Sequence, residues 1–298
     1  MNLTPEAIEA CLTSEHESIR VQTARRDDFT PTPEQAERGL SDTSWSVREA
    51  WATRLDFIPT PEQVERGLND VYWQVRQAWA KRMDWTSTPM QIERGTLDAN
   101  SSVRCAWAQR TDFRPTSAQA HRGAQDESNI VRLMWAVRSD FTLTPKLIER
   151  GLTDEYILVK KAWAQRMDFT PTYKQIERGL SDADADVRLV WSQRMDFTPT
   201  PEQVERGLTD TSWSIRQAWA IRTDHTPTSK QSERGVNDRE FRVVLAWLSR
   251  TDMVWTEAQI AQGLHSFNEK VRLAWEQVVQ RQNERHLCTS EFVQIPSL

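Results

Sequence analysis

Ten segments of 28 residues follow one another in this chain without an insertion or deletion between them, and few folds tolerate so strict a period. The best-formed copy runs from Thr60 to Thr88, TPEQVERGLNDVYWQVRQAWAKRMDWTST. Its proline recurs, or is replaced in register, at Pro5, Pro33, Pro61, Pro89, Ser117, Pro145, Tyr173, Pro201, Ser229 and Glu257. A unit of this length cannot enclose a core alone. Each copy must therefore bury its apolar face against the copies before and after it, in the same way every time, which is the signature of a solenoid.

Within the unit the residues read as two short helices. Thr60 is a good N-cap, Pro61 suits the first helical position because its missing N–H would be unpaired there, and Gln63 can close a capping box. Val64 and Leu68 share one face of this helix A, while Glu65 and Arg66 point elsewhere. Asp70 offers a second N-cap, and Val75, Ala78, Trp79 and Arg82 then follow at the spacing of an amphipathic helix B. Asp84 opens the turn. The aromatic at Trp85, matched by Phe at 29, 57, 113, 141, 169 and 197, is expected to cover the core from there.

Recurrence inside the chain separates structure from function. All nine glycines share one repeat position, at helix A, and nine of fourteen tryptophans share another, at 51, 79, 107, 135, 163, 191, 219, 247 and 275. A ligand box does not need nine copies; a core ladder does. The glycines either carry a positive φ or allow a close approach, and close packing against the next repeat is expected. Twelve of thirteen prolines fall at two positions in the turn, so no helix interior is interrupted. Two arginine columns on helix B, the Glu–Arg pair of helix A and two aspartate columns read as caps and ladders of exposed ion pairs between repeats, each pair contributing about 0–1 kcal/mol.

These counts leave little room for catalysis. The five histidines (16, 121, 225, 265, 286) are scattered, Cys11, Cys105 and Cys288 lie far apart, and no metal, nucleophile-elbow or phosphate-loop motif is present. A formal charge of −5 and the lack of an 18-residue apolar run weigh against a general affinity for nucleic acid or membrane. A cytoplasmic monomer without cofactor or metal is expected.

The run V-R-x-x-x-A, a short turn, T-P, then a leucine and an aspartate, carried by Val47, Arg48, Ala52, Thr60, Pro61, Leu68 and Asp70, resembles the leucine-rich repeat variant family and, more loosely, HEAT-type repeats. The resemblance covers roughly residues 4–284 and implies an all-α, right-handed α-solenoid, or superhelix, of ten two-helix repeats. It says little about function. This chain departs from the pattern in its longer turn, its tryptophan on helix B and its glycine in helix A. Some members of the family carry a cysteine-bound iron–sulfur cluster; no cysteines here match, so no cofactor is carried over. A single domain over residues 1–298 is expected. Residues 1–32 form a degenerate cap with Cys11 and Thr23 in the glycine and tryptophan places, 33–256 the eight regular repeats, and 257–298 a C-terminal cap whose tail could dock through Phe292, Val293 and Ile295.

What varies between copies points to a binding face. The positions equivalent to 73, 74, 77 and 81 on helix B lie away from the Val/Ala/Trp stripe. They turn apolar at Ile130, Leu133, Val137, Ile157, Leu158 and Leu189, flanked by Trp45, Trp73, Trp213 and Phe241. If this row faces out, it fits a protein or peptide partner; if the helical phase is one residue off, it is core. A rival from another class is a sequence-reading nucleic-acid-binding repeat protein, in which variable pairs such as Ser44–Trp45, Tyr72–Trp73 and Asn100–Ser101 would each meet a base. The acidic balance and the absence of a lysine-rich phosphate track weigh against it.

Overall fold

A computed structural model describes residues 3–291, with side chains described as far as residue 284; the expected docking of Phe292, Val293 and Ile295 lies outside the described residues, as do the side chains of His286 and Cys288. The described residues form twenty α-helices and no strand, in two compact units, residues 1–166 and 167–298. Unit 1 holds six helix pairs: α1 (Pro5–Leu12) with α2 (Glu17–Ala24), α3 (Pro33–Leu40) with α4 (Trp45–Ala52), α5 (Pro61–Leu68) with α6 (Trp73–Lys81), α7 (Pro89–Thr96) with α8 (Ser101–Gln109), α9 (Ser117–Gly123) with α10 (Asn129–Val137), and α11 (Pro145–Leu152) with α12 (Ile157–Ala164). Unit 2 holds four: α13 (Tyr173–Leu180) with α14 (Ala185–Gln193), α15 (Pro201–Leu208) with α16 (Trp213–Ile221), α17 (Ser229–Val236) with α18 (Phe241–Ser249), and α19 (Glu257–Leu264) with α20 (Glu269–Glu291). Within each unit a helix pair packs on itself and on the pairs beside it, the second helices stacking most closely.

Helices of eight or nine residues are marginal in water by themselves, so caps and stacking decide where they form. The first helices start as the sequence implies. Thr60 accepts from the Gln63 backbone N–H at 3.3 Å, and the Gln63 side chain accepts from the Thr60 N–H at 2.9 Å. The box recurs at Thr32, Thr88, Thr116, Thr172, Thr200, Thr228 and Thr256. The second helices start two residues later than expected. Asp70 is not the N-cap; Tyr72 holds that place, and Asp70 Oδ1 accepts the Tyr72 N–H at 2.9 Å from two residues upstream. The aspartate is drawn back because its other bonds go to an arginine of the preceding repeat.

The nine recurring tryptophans are buried, each 2% exposed or less. No described residue has a positive φ, so the glycines are not turn devices. Close packing is the reason for them, but against the same repeat rather than the next. A Cβ on Gly67 would fall inside the ring of Trp79, twelve residues on, and the other eight glycines face their own tryptophans in the same way.

The arginine column at the end of helix B corrects a second expectation. It is not an exposed ladder: Arg82 is only 2% exposed. Its Nη1 donates to the carbonyls of Ala52 (3.2 Å) and Arg54 in the preceding repeat, its Nη2 to the Phe57 carbonyl (3.1 Å), and Nε and Nη2 together hold Asp84. The guanidinium lies between the Phe57 ring, 4.7 Å from its centroid, and the Trp79 ring, 5.3 Å away. Arg54, Arg110 and Arg138 in unit 1 and Arg222 in unit 2 repeat these contacts. The turn aromatics thus cover the core, as expected, and also form one wall of an arginine slot.

The two other columns are ladders between repeats, as the sequence implies, but only that of the first helices is exposed; the Arg–Asp ladder of the second helices is mostly buried. Arg48 holds Asp70 of the next repeat through Nε (2.6 Å) and Nη2 (2.8 Å). On the first helices, Glu37 accepts from Gln63 (2.8 Å) and Arg66 (2.9 Å) of the next repeat.

Candidate functional site

Because Val75, Ala78, Trp79, Ala80 and Arg82 turn inward on α6, the geometry of a two-turn helix leaves positions 73, 74, 77 and 81 outward. The same split holds in every regular repeat. In unit 1, Ile130, Val137, Ile157, Leu158 and Trp73 are exposed, while Leu133 and Trp45 are half-buried. In unit 2, Trp213 is exposed and Leu189 and Phe241 are half-buried. None is core, so the one-residue phase error is excluded. Val137 at 63% exposure and Trp135 at 2%, two residues apart on α10, mark the two faces.

Some of these residues meet. The Trp45 and Tyr72 rings stack with centroids 5.8 Å apart and planes at 23°. Arg242 lies over both Trp213 (4.8 Å) and Phe241 (5.2 Å), and Lys270 Nζ is 5.9 Å from the Phe241 centroid. Between the C-terminal ends of α8 and α10 a cleft of about 480 Å³ opens, with Ala108, Gln109, Met134 and Val137 among its lining residues. Gln109 Nε2 donates to Met134 Sδ across it at 2.9 Å. Ile130 and Leu158 do not line this cleft.

Sequence reasoning passed over exposed Val71, Ile221 and Leu273. Ile221 occupies the repeat position of Val137 and Leu273 that of Leu133, so the rule that selected the latter selects them too. Val71 lies in the turn before α6, outside any helical pattern, and carries no such signal.

Electrostatically this face is quiet. Over the eight regular repeats only five of its 32 positions are charged, Glu49, Lys81, Lys161, Asp186 and Arg242, against 27% of the chain. The opposite helices carry the charge, and there it is spent on ladders. Bonds from Arg66 and then Gln63 pull the Glu37 carboxyl down to about 2, and Arg94 with Gln91 does the same to Glu65. Groups held this way are poor acids and bases near neutrality. Half-buried Cys105 has its thiol pushed up by burial, away from the thiolate a nucleophile needs. Among the described residues no three His, Cys, Asp or Glu side chains are grouped to hold a metal, and no helix is long and apolar enough to cross a membrane.

No protein-family model matches the chain, and no curated protein matches it. Among solved structures, a leucine-rich repeat variant with a novel repetitive protein structural motif is similar at a TM-score of 0.57 and 20% identity, over 80% of this chain and 87% of that one. At that identity the likeness establishes the fold, a solenoid of helix pairs, and carries no statement of activity or partner.

Proposed function

We propose that this chain is a non-enzymatic scaffold that binds a protein or peptide segment along the outward face of its second helices. The observation that carries the reading is the division of labour on each helix B. One face recurs and is committed to packing, chiefly of tryptophan, alanine, valine and arginine; the other changes from repeat to repeat, is low in charge, and leaves Ile130, Val137, Ile157, Leu158, Trp73 and Trp213 exposed. Such a surface gains by being covered, and its polar members, Gln77, Gln109, Ser102 and Ser214, can supply the hydrogen bonds that give specificity.

The test compares faces of the same helices. Leu133→Glu and Leu189→Glu should leave the melting temperature nearly unchanged and abolish recovery of the partner found by affinity capture and mass spectrometry. Trp135→Ala, on the inward face of α10, should cost about 3–5 kcal/mol. A glutamate variant that unfolds like Trp135→Ala, or one that binds like wild type, removes the proposal. The nucleic-acid reading keeps one point in its favour, the stacked Trp45–Tyr72 pair and the Trp213–Arg242–Phe241 cluster, which could hold bases. A gel shift with random single-stranded DNA and RNA decides: affinity with a steep salt dependence would favour it over a protein partner.

A further inference from the structure

The helix B arginine that holds the next repeat's aspartate occurs seven times with the same geometry, Arg48 and Arg216 among them. In each, Nη1 donates to the two backbone carbonyls six and five residues upstream. For Arg48 these are Asp42 (2.7 Å) and Thr43 (3.1 Å); for Arg216, Asp210 (2.9 Å) and Thr211 (3.2 Å). Those two bonds fix the guanidinium plane and aim Nε and Nη2 at the neighbouring repeat. There they close on a carboxylate with both bonds between 2.6 and 2.9 Å, as in Arg20–Asp42, Arg48–Asp70 and Arg132–Asp154.

Arg272, in the first turn of α20, is built the same way. Its Nη1 donates to the carbonyls of Ser266 (2.8 Å) and Phe267 (3.3 Å), six and five residues upstream. The guanidinium is thus anchored as in the seven filled copies, yet among the described residues no carboxylate meets its Nε and Nη2. Beside it the Phe267 side chain is fully exposed. A planar fork whose orientation is already fixed loses little freedom on taking a second planar group, and a carboxylate matches it with two parallel bonds.

We propose that Arg272 is a preformed carboxylate-binding fork, and that this end of unit 2 takes an acidic segment of another protein, an aspartate side chain seating on Nε and Nη2 with an apolar neighbour against Phe267. The fold supplies its own template for the ligand: the aspartate held by Arg48 is followed at once by exposed Val71 and by Tyr72. A second copy stacked end to end does not meet the requirement, because the position equivalent to Asp42 in the first repeat is the uncharged Ser14. The fork itself occupies none of the outward positions of the second helices, so the inference does not depend on the scaffold reading.

The test uses the full chain and an acetylated, amidated hexapeptide copying residues 68–73, Leu-Asn-Asp-Val-Tyr-Trp, with a control in which the aspartate is asparagine. The arginine Nε–H signals are followed by ¹⁵N NMR, and that of Arg272 is assigned from Arg272→Lys. The aspartate peptide should shift the Arg272 signal saturably, and the asparagine peptide should bind at least about tenfold more weakly, since a charge-assisted bidentate contact is replaced by a neutral one. Arg272→Gln should lose the peptide while keeping its urea midpoint, and Leu133→Glu should bind it as wild type does. Equal binding of the two peptides to the wild-type chain overturns the proposal without recourse to any variant, as does unchanged binding to Arg272→Gln. Sedimentation showing a dimer that Arg272→Gln dissociates would make a second copy the occupant and overturn it as well.

Discussion

The junction between the first two helix pairs of unit 1 and the junction between the last two of unit 2 stack equivalent helices in the same order, yet they share none of their ion pairs. At the first, Arg54 donates to the carbonyls of Ala24, Arg26 and Phe29, Arg20 holds Asp42, and Glu9 holds Arg38 and accepts from Gln35. At the last, the two ladders of the second helices are changed on both sides and that of the first helices on one, with Glu233 kept. Val278 stands for the buried arginine, Val244 and Ser266 for the Arg–Asp pair, and Gln262 for the arginine facing Glu233. What joins α17–α18 to α19–α20 is mostly apolar: Val244, Leu248, Trp255, Val271, Trp275 and Val278 are all buried, Trp255 meets Trp275 edge-on at 5.5 Å, and Gln282 exchanges hydrogen bonds with the Trp255 backbone, while one cation, Arg281, donates through Nη2 to the Leu248 carbonyl (2.5 Å), the counterpart of Ala24 at the first junction. The paired replacement is instructive. A lone arginine or aspartate left in such a junction would be a buried charge without a partner, so the residues change together. Stacking therefore needs the apolar ladder, while the Arg–Asp ladder of the second helices fixes register and can be exchanged for neutral residues as a pair.

The largest effect should come from removing one buried arginine. Arg54→Leu leaves three carbonyls and the Asp56 carboxylate without their donor and should cost about 3–5 kcal/mol, read as a lower urea midpoint with faster hydrogen exchange in α1 and α2. Its counterpart, Val278→Leu, adds one methylene inside an apolar site, leaves no polar group without a partner, and should cost less, about 1–3 kcal/mol by overpacking. Similar costs for the two would erase the distinction between the junctions.

Next comes the glycine–tryptophan lock, which the first repeat lacks on both sides. Gly39→Ala pushes a methyl into the Trp51 ring, which is held on every side, and should cost about 1–3 kcal/mol by overpacking. Cys11→Ala, at the equivalent place where Thr23 replaces the tryptophan, should stay within about 0.5 kcal/mol. Thermal unfolding of both variants checks this; a harmless Gly39→Ala would mean that the ring can move aside.

How much of this was legible beforehand follows from what kind of atom each contact uses. The period, the Thr–Pro–x–Gln starts and the inward Val75–Ala78–Trp79–Arg82 stripe are side-chain patterns, and they placed the helices and separated Leu133 from Trp135. The burial of Arg82 was implicit in that stripe. Its acceptors were not, because the backbone carbonyls of Ala52, Arg54 and Phe57 belong to another repeat and carry no sequence signal. Asp70 was misplaced as an N-cap for a related reason: its competing bond runs to Arg48 across a repeat boundary. The glycine column pointed to a close approach, but spacing alone does not say which of two flanking tryptophans approaches. The outward row was legible as geometry, whereas the fork of Arg272 becomes visible only once seven filled copies are superposed on it.

A third junction, between α15–α16 and α17–α18, sharpens the comparison through pH. There the turn aromatic is His225, whose ring is buried beside Trp219 with no hydrogen bond to either nitrogen. Its own turn supplies Arg222 and Asp224, the latter 3.7 Å from Nδ1, and the next repeat supplies Arg250 and Asp252, each aspartate already held by its arginine. Burial first, and then Arg250, push the imidazole below its ordinary 6.5. The folded chain therefore favours neutral His225. Its contribution is full above the unfolded value near 6.5 and is lost as pH falls below it, through the depressed folded value. The melting temperature of the wild type should drop between pH 7 and 5.5 more than that of His225→Phe, with exchange in α16 and α18 rising in the wild type alone. Parallel curves would show that the histidine is only a spacer.

The smallest effect tests the exposed ladder on the first helices. Glu37 is paired with Arg66 and Gln63, whereas at the last junction Gln262 holds the arginine's place in register with Glu233 and donates to Asn237, and among the described residues no cation pairs with Glu233. Both sides of the Glu37 pair are nearly half exposed, at 46% and 49% of their side-chain areas. Solvent therefore screens the pair, and Glu37→Ala should cost no more than about 1 kcal/mol at neutral pH. The sign with pH is fixed by the depressed carboxyl: its contribution is present above the ordinary 4.5 and fades as pH falls toward about 2. The difference between Glu37→Ala and wild type should accordingly close over that interval and shrink in molar salt at pH 7, when mobile ions do the work of the partner. Glu233→Ala should show no such dependence on either. If Glu233→Ala followed the Glu37→Ala curve, the ladder would owe its effect to the helix rather than to the ion pair, and the contrast between the two junctions would rest on the buried arginine alone.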